Sequence, residues 1–179
     1  MPIIIIDNPM HERLLRRPGK NVKNFQDPEI KILIQEMTKI VTQPGAAGLA
    51  ATQLGYPYRI FAINIDKTKE PVFFYNPKIL SLSEETHEVI EGCLSVPGKQ
   101  GTLERHLTIK IAWQDELGRK FAPNGSKYEY EFDNFTAQAI QHETNHLDGK
   151  LYIDFAENIL STEHLEKVFQ EALAKKEVS

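Results

Sequence analysis

The feature that most constrains this chain is the pattern His-Glu-x-x-His formed by His142, Glu143 and His146. Residues four apart on a helix lie on one face, one turn apart, so both imidazoles can point at one metal ion. Glu143 can then reach a water molecule beside that ion. Helix-forming neighbours and a following Gly149 predict a helix over 135–147. The alternative is an ordinary amphipathic helix with two partly buried, hydrogen-bonded histidines.

Length and composition describe an ordinary globular chain. Its 179 residues, 41% hydrophobic and 26% charged, predict a single domain over 1–179. A net charge of −4 argues against a global basic field for nucleic acid. No stretch approaches the ~20 apolar residues of a membrane span, and the isoleucine run at 3–6 is too short for a signal-peptide core. We therefore expect a cytoplasmic protein without a membrane contact.

Secondary-structure signals place strands between helices. Asp27 and Pro28 predict the start of a helix that ends near Pro44, and Ser161 predicts the start of a last helix. Residues 11–26 are interpreted as basic and irregular. The predicted strands are 59–66, 72–75, 78–82, 86–90, 107–113 and 127–132. This segregation favours an α+β fold with antiparallel sheets.

A run of small apolar residues at 45–53 forms a second unusual stretch. It is interpreted either as a packed loop or strand, or as a cleft wall that pairs with an extended peptide through its main chain. In the second interpretation, Gln53 is the one side chain there that can donate a hydrogen bond to an oxyanion.

A catalytic metal of this kind usually keeps three protein ligands and one open position. Tyr152 stands where a metzincin would have its third histidine. Glu166 lies at the distance used by thermolysin-like peptidases, but without their flanking residues, and a solvated glutamate is the simpler interpretation. Cys93, the single cysteine, is the better candidate, because a thiolate completes a chemically sound set. Its softness favours iron, zinc, nickel or cobalt.

Three motifs in this order resemble those of peptide deformylase. The family patterns are Gly-x-Gly-Leu-Ala-Ala-x-Gln, Glu-Gly-Cys-Leu-Ser and Gln-His-Glu-x-x-His-Leu, matched here at 46–53, 91–95 and 141–147. The resemblance covers nearly the whole chain and is closest to the shorter bacterial type. It implies antiparallel β-sheets surrounding a central helix that carries the histidines. It also implies removal of the formyl group from formyl-methionyl nascent peptides, with release of formate.

The resemblance assigns roles residue by residue. The implied metal ligands are Cys93, His142 and His146. Fe(II) is the implied native ion, and nickel, cobalt or zinc are substitutes. Glu143 would carry the proton from the attacking water to the leaving amine, while Gln53 and the Leu94 backbone N–H would stabilise the oxyanion. The implied substrate-binding residues are Ala47, Gly48, Glu91, Gly92, Phe135 and Gln138.

Glu91 is expected to be partly buried and paired, with Arg105 as one candidate partner. A transient ribosome contact is also implied. The last helix could make it through its basic residues Lys167, Lys175 and Lys176.

Several positions depart from the family pattern. Ala46 replaces a glycine, and Gln100 replaces an arginine that contacts substrate backbone. Ala47, Gln138 and Ala139 stand where larger or apolar residues are usual. These changes leave the metal chemistry intact and concern methionine selectivity and peptide affinity.

Three alternatives to a deformylase stay open at this point. One is a metallohydrolase of the same fold with an altered substrate pocket. Another is a zinc peptidase that uses Glu166 as its third ligand. The last is a non-catalytic metal-binding paralogue, for which the intact Glu143 and Gln53 would have no purpose.

Overall fold

The computed structural model describes residues 2–65, 70–121 and 130–164. The helices in these ranges are α1 (Pro9–Leu15), α2 (Pro28–Val41) and α3 (Asn134–Leu147). The strands are β1 (Gly48–Ala50), β2 (Ile60–Ile63), β3 (Val72–Leu82), β4 (Thr86–Cys93), β5 (Val96–His106), β6 (Thr108–Gln114), β7 (Lys120–Phe121), β8 (Tyr130–Asp133) and β9 (Glu157–Ser161). Two short 3-10 helices span Ala51–Leu54 and Tyr152–Asp154.

The strands of the described ranges form two antiparallel sheets. The larger sheet has the order β1-β2-β3-β6-β7, with β8 also paired to β6. The smaller sheet has the order β4-β5-β9. Together with the helices they give the α+β architecture that the sequence predicts.

The larger sheet is covered by a helix on each face. All four residues of β2 are buried, and they alternate between two cores because successive side chains of a strand point to opposite faces. Ile60 and Ala62 join the core that contains the apolar side of α2, including Leu33. Phe61 and Ile63 join the core that contains α3. Burial on both faces explains why β2 is a continuous apolar run.

The helix α3 lies between the two sheets. On one side it packs against β1, β2 and β6, and on the other it contacts β5. The smaller sheet has its own apolar cluster, in which Leu103 and Val96 meet Leu15 and Tyr152. This arrangement confirms the prediction of antiparallel sheets around a central helix.

Local signals in the sequence set the start of α2 and the end of α3. The Asp27 side chain accepts a hydrogen bond from the Glu29 amide and Pro28 opens α2, as predicted. Gly149 ends α3 in the left-handed conformation, with φ of 72°. The Lys150 amide then donates to the Asn145 carbonyl over 2.8 Å, which satisfies a carbonyl left free at the helix end.

Other predictions of local structure were wrong or incomplete. Residues 9–15, interpreted in part as irregular, form α1, which Asn8 caps by accepting from two backbone amides. The two strands predicted at 72–75 and 78–82 are one strand, β3, whose register with β6 shifts around its proline. Neither β5 nor β9 is among the predicted strands. Within the described ranges, no helix is long and apolar enough to cross a membrane.

The predicted last helix falls mostly outside the described residues. The Ser161 hydroxyl accepts a hydrogen bond from the His164 amide over 3.1 Å, as a helix cap would. Glu166, Lys167, Lys175 and Lys176 lie outside the described ranges, as does the 127–129 part of the strand predicted before α3.

Candidate active site

Three side chains from two elements converge beside α3. His142 and His146 project from one face of that helix, and Cys93 ends β4. Their ligand atoms all lie within 4.8 Å of one another. The Cys93 Sγ atom is 3.2 Å from the His146 Nε2 atom. The structure thus brings together the three residues that the sequence singled out as metal ligands.

Glu91 fixes the orientation of the first histidine. Its Oε2 atom is 2.8 Å from His142 Nδ1, so the Nε2 atom of that ring is the one left for a ligand. Arg105 donates to both carboxylate oxygens of Glu91, each over 2.8 Å. Glu91 and Arg105 are only 4% and 7% exposed, which confirms the expected buried pair. Burial raises the pKa of Glu91, but the hydrogen bonds from Arg105 and His142 outweigh it and lower that pKa to about 2.

Glu143 is held in a different environment. The residue is 4% exposed, and its Oε2 atom has no hydrogen-bond partner among the described residues. Burial raises the pKa of Glu143 to about 7, a value suited to accepting and returning a proton near neutrality. Gly48 makes room for this side chain, since a Cβ atom there would lie 2.6 Å from Glu143 Oε1.

Gln53 is locked in place at the end of its short 3-10 helix. The Ala50 amide donates to Gln53 Oε1 over 2.8 Å. The Gln53 Nε2 atom donates to Ser95 Oγ over 3.1 Å and approaches Cys93 Sγ at 3.5 Å. The amide group of Gln53 is therefore aimed at the cysteine. Ser95 belongs to the second motif, but its role in holding Gln53 was missed because hydrogen bonding across the fold leaves no mark in the sequence.

A cleft of about 530 Å³ opens above these groups. Apart from the metal ligands, all the residues with a predicted catalytic or substrate-binding role line it: Ala47, Gly48, Gln53, Glu91, Gly92, Leu94, Phe135, Gln138 and Glu143. Gln100, at one of the departures from the family pattern, also lines it. Ala46 is not among the described residues with positive φ, so the substitution of the family glycine causes no left-handed strain there.

The donor set fits a transition metal. One sulfur and two imidazole nitrogens are ligands of iron, zinc, nickel and cobalt sites, and three ligands leave one position open. Burial lowers the pKa of His146 well below its usual value, which keeps this imidazole neutral and able to coordinate. Its Nδ1 atom has no hydrogen-bond partner among the described residues, while its Nε2 atom faces Cys93 Sγ.

Comparison with known proteins agrees with this geometry. The family model described as polypeptide deformylase matches residues 2–161. The chain belongs to the peptide deformylase family. A peptide deformylase of Hahella chejuensis is 39% identical over 149 residues, which cover 83% of this chain and 84% of that protein. Peptide deformylase 2 of Nostoc sp. is 34% identical over 183 residues, which cover 98% and 96%.

Solved deformylase structures share the fold. The peptide deformylase of Synechococcus elongatus in complex with actinonin superposes with a TM-score of 0.76 at 30% identity, over 88% of this chain and 81% of that one. The enzyme of Thermotoga maritima gives a TM-score of 0.74 at 33% identity, over 87% and 97%. The chain is accordingly a hydrolase that removes the formyl group from the N terminus of nascent polypeptides. The family is metal-dependent, and Cys93, His142 and His146 form a group able to hold a metal.

Proposed function

We propose that Cys93, His142 and His146 hold one Fe(II) ion, for which nickel, cobalt or zinc can substitute. The convergence of their ligand atoms within 4.8 Å, beside a cleft that Cys93 and His142 line, is the observation that carries this proposal. When bound, the ion would supply a Lewis acid that polarises the formyl oxygen and acidifies water. Glu91 would support the site by orienting His142 through its 2.8 Å contact with Nδ1.

Glu143 would act as the proton carrier of the reaction. It would take a proton from the water that attacks the formyl carbon, and then deliver it to the amine nitrogen as the C–N bond breaks. A pKa of about 7, raised by burial, suits both directions of transfer. The unpartnered Oε2 atom leaves one oxygen of the carboxylate available for this exchange.

Gln53 and the backbone N–H of Leu94 would stabilise the oxyanion that forms from the formyl oxygen when water adds to the formyl carbon. The Gln53 amide is buried, fixed by the Ala50 N–H and directed at Cys93. Leu94 directly follows Cys93 and lines the cleft. Donors that are fixed before the reaction stabilise developing charge without the cost of reorganisation.

The cleft would bind the first residues of a formyl-methionyl nascent peptide in an extended form. The backbone around Gly48 and Gly92 would pair with the peptide main chain. Ala47, Phe135 and Gln138 would surround the first side chain, since all three line the cleft.

We also propose that the chain works as one catalytic domain over 1–179, in the cytoplasm, because its substrates emerge from the ribosome there. The family match over 2–161 supports a single unit. A transient ribosome contact is part of this proposal, and the basic residues Lys167, Lys175 and Lys176 suit the phosphates of RNA.

Formate release from a formyl-Met-Ala-Ser peptide tests the proposal. The protein should be purified without oxygen and loaded with Fe(II) or Ni(II). We expect rapid release by the wild type and a loss of about a hundredfold or more in kcat for Glu143→Gln, in the range of general acid–base catalysis. Glu88→Gln, the same change at an exposed position of β4, should keep the wild-type rate. No release by protein that holds one metal ion per chain would reject the substrate, and full activity of Glu143→Gln would reject the proton carrier.

A further inference from the structure

The isoleucine segment, residues 3–6, does not line the cleft, yet its backbone bonds to two of the sequence motifs that do. The Ile4 amide donates to the Gln53 carbonyl, and the Ile6 amide donates to the Ser95 carbonyl, each over 2.8 Å. The two accepting residues are 2% and 0% exposed. Water therefore cannot readily replace either amide, and the loss of one would leave a buried carbonyl short of a donor.

These two hydrogen bonds join parts of the chain that belong to different sheets. Gln53 lies in the 3-10 helix that follows β1 of the larger sheet, and Ser95 follows β4 of the smaller sheet. Within the described ranges, no backbone hydrogen bond connects the two motifs directly. The Ile4 and Ile6 nitrogens are two residues apart, so they can be no more than about 7 Å from each other. The segment thus limits the distance between the two motifs.

Side-chain packing anchors the segment independently of these amides. Ile3 packs against the core that contains α2, while Ile4 and Ile6 pack against the apolar cluster of the smaller sheet. The Ile5 carbonyl lies 3.1 Å from His11 Nδ1. The Ile5 amide, in contrast, donates to no residue that the structure describes. Position 5 therefore offers a control at which removal of an N–H group breaks no hydrogen bond.

Oxyanion stabilisation depends on where its two proposed donors lie relative to each other. Donors that are already in place stabilise the developing charge without reorganisation, and a productive site holds its groups within about 0.5 Å. The Ala50 amide fixes the Gln53 side chain, but both residues belong to the same motif. The Leu94 N–H lies on the other motif, next to Ser95. The isoleucine segment is bonded to the main chain of both.

We propose that the amides of Ile4 and Ile6 position the two oxyanion donors through the main-chain carbonyls that they hold. They touch neither the substrate nor the reacting atoms, because the segment lies outside the cleft lining. The inference rests on the proposed roles of Gln53 and Leu94, and it adds the element that sets the distance between them. Loss of either amide should weaken an interaction that is made in the transition state and leave peptide binding unchanged.

Proline substitution tests the proposal by removing one amide at a time. Ile4→Pro and Ile6→Pro each lose one of the two donors, and Ile5→Pro is the matched control. Formate release from formyl-Met-Ala-Ser and bound nickel per chain would be measured for all three variants. We expect kcat to fall about tenfold in Ile4→Pro and Ile6→Pro, less than the roughly 10²–10³-fold loss on removing a whole oxyanion donor. KM and bound nickel should stay at wild-type values, and Ile5→Pro should keep the wild-type kcat.

A double variant distinguishes positioning from general support of the fold. Gln53→Ala removes the side chain that the Ile4 amide is proposed to position. In that background, Ile4→Pro should lower kcat by no more than about twofold, because coupled residues do not contribute additively. A further loss of about tenfold in the double variant would show that the proline acts on the fold as a whole, and would overturn the proposal.

The other outcomes separate this inference from the function on which it rests. A wild-type kcat in Ile4→Pro and Ile6→Pro, an equal loss in Ile5→Pro, or a rise in KM at unchanged kcat would each overturn the positioning role and keep the deformylase. No release of formate by nickel-loaded wild type would overturn both proposals.

An ester analogue replaces any proline variant that melts below the assay temperature. An α-hydroxy acid with the isoleucine side chain, placed at position 4 or 6, puts an oxygen atom where the N–H group was and keeps the packing of the side chain. The same loss of about tenfold in kcat is expected for each ester, with no loss for the ester at position 5. A wild-type kcat for the esters at positions 4 and 6 would overturn the proposal.

Discussion

At the scale of single residues, the position of the Glu143 side chain depends on the absence of a side chain at Gly48. Gly48 on β1 faces its carboxylate, and a Cβ atom there would lie 2.6 Å from Oε1 and 2.9 Å from Cγ. Both distances are too short for atoms that are not bonded, so the glutamate side chain would have to move. The backbone of Gly48 itself needs no positive φ. Space for the base is thus the physical reason for glycine at this position.

Gly48→Ala should therefore reduce activity without unfolding the protein. Displacing the base by even a fraction of an ångström misaligns proton transfer, and we expect kcat to fall about tenfold or more. Metal content per chain should stay at the wild-type level, since the three atoms nearest to the added Cβ all belong to Glu143 and not to Cys93, His142 or His146. Formate release and metal analysis on the same sample check this. A wild-type kcat would show that Glu143 needs no fixed position.

At the scale of elements, the end of α3 holds the second histidine in place. Gly149 stops the helix with φ of 72°, and an added Cβ atom would overlap the backbone carbonyl of Arg16. The Leu147 carbonyl accepts from the Gly19 amide over 2.8 Å. Arg59 pairs with Asp148 over 2.7 Å. These contacts join the helix end to the segment after α1 and to the start of β2, directly beyond His146.

Gly149→Ala should lower the free energy of unfolding by more than the cost of a left-handed alanine alone. A left-handed alanine costs about 1–2 kcal/mol, and the clash with Arg16 adds to it. Gly45→Ala is the matched control, because Gly45 also has a positive φ, of 87°, but its added Cβ would meet nothing within 4 Å. Thermal unfolding of both variants measures the difference. With roughly 2–4 °C per kcal/mol for a chain of this size, we expect Gly149→Ala to melt several degrees below Gly45→Ala. Equal melting temperatures would mean that the Arg16 backbone moves away from the added Cβ atom without a loss of stability.

The elements that sequence alone predicts are those with strong local signals. The caps of α2 and the histidine spacing on α3 act over one turn, so they can be read from neighbouring residues. The helix α1 carries a cap at Asn8, but it buries only Leu15 and has no apolar stripe to reveal it. The strand β5 contains Pro97, Gly98 and Gly101, residue types that are typical of turns. Pairing with β4 along its length nevertheless makes it a strand.

The same distinction between local and distant signals holds for the site. Spacing predicts His142, Glu143 and His146 because one helix carries them all. The grouping of Cys93 with the histidines is a distant contact, and only its unusual neighbours and the family resemblance pointed to it. The hydrogen bonds of Gln53 to Ser95 and of Gln138 to Glu91 depend on rotamers set by the assembled fold. No pattern in the sequence predicts them.

At the scale of the whole molecule, the proposed ligands come from separate structural units. Cys93 belongs to the smaller sheet through β4, while His142 and His146 belong to α3, which packs on the larger sheet. An ion held by all three would connect these units. Such a site exists only when the chain is folded, so binding must stabilise the folded state by mass action.

Metal loading should therefore raise the melting temperature. At a free metal concentration about a thousand times Kd, one site adds roughly 4.1 kcal/mol to the free energy of unfolding, less any binding to the unfolded chain. At roughly 2–4 °C per kcal/mol, the expected rise is on the order of 10 °C. Anaerobic thermal unfolding with Ni(II) and then with excess chelator measures it. Cys93→Ala should show a much smaller shift, because two imidazoles alone bind more weakly. If Ni(II) left the melting temperature of the wild-type protein unchanged, the assignment of these three residues as ligands would be wrong, whatever the activity.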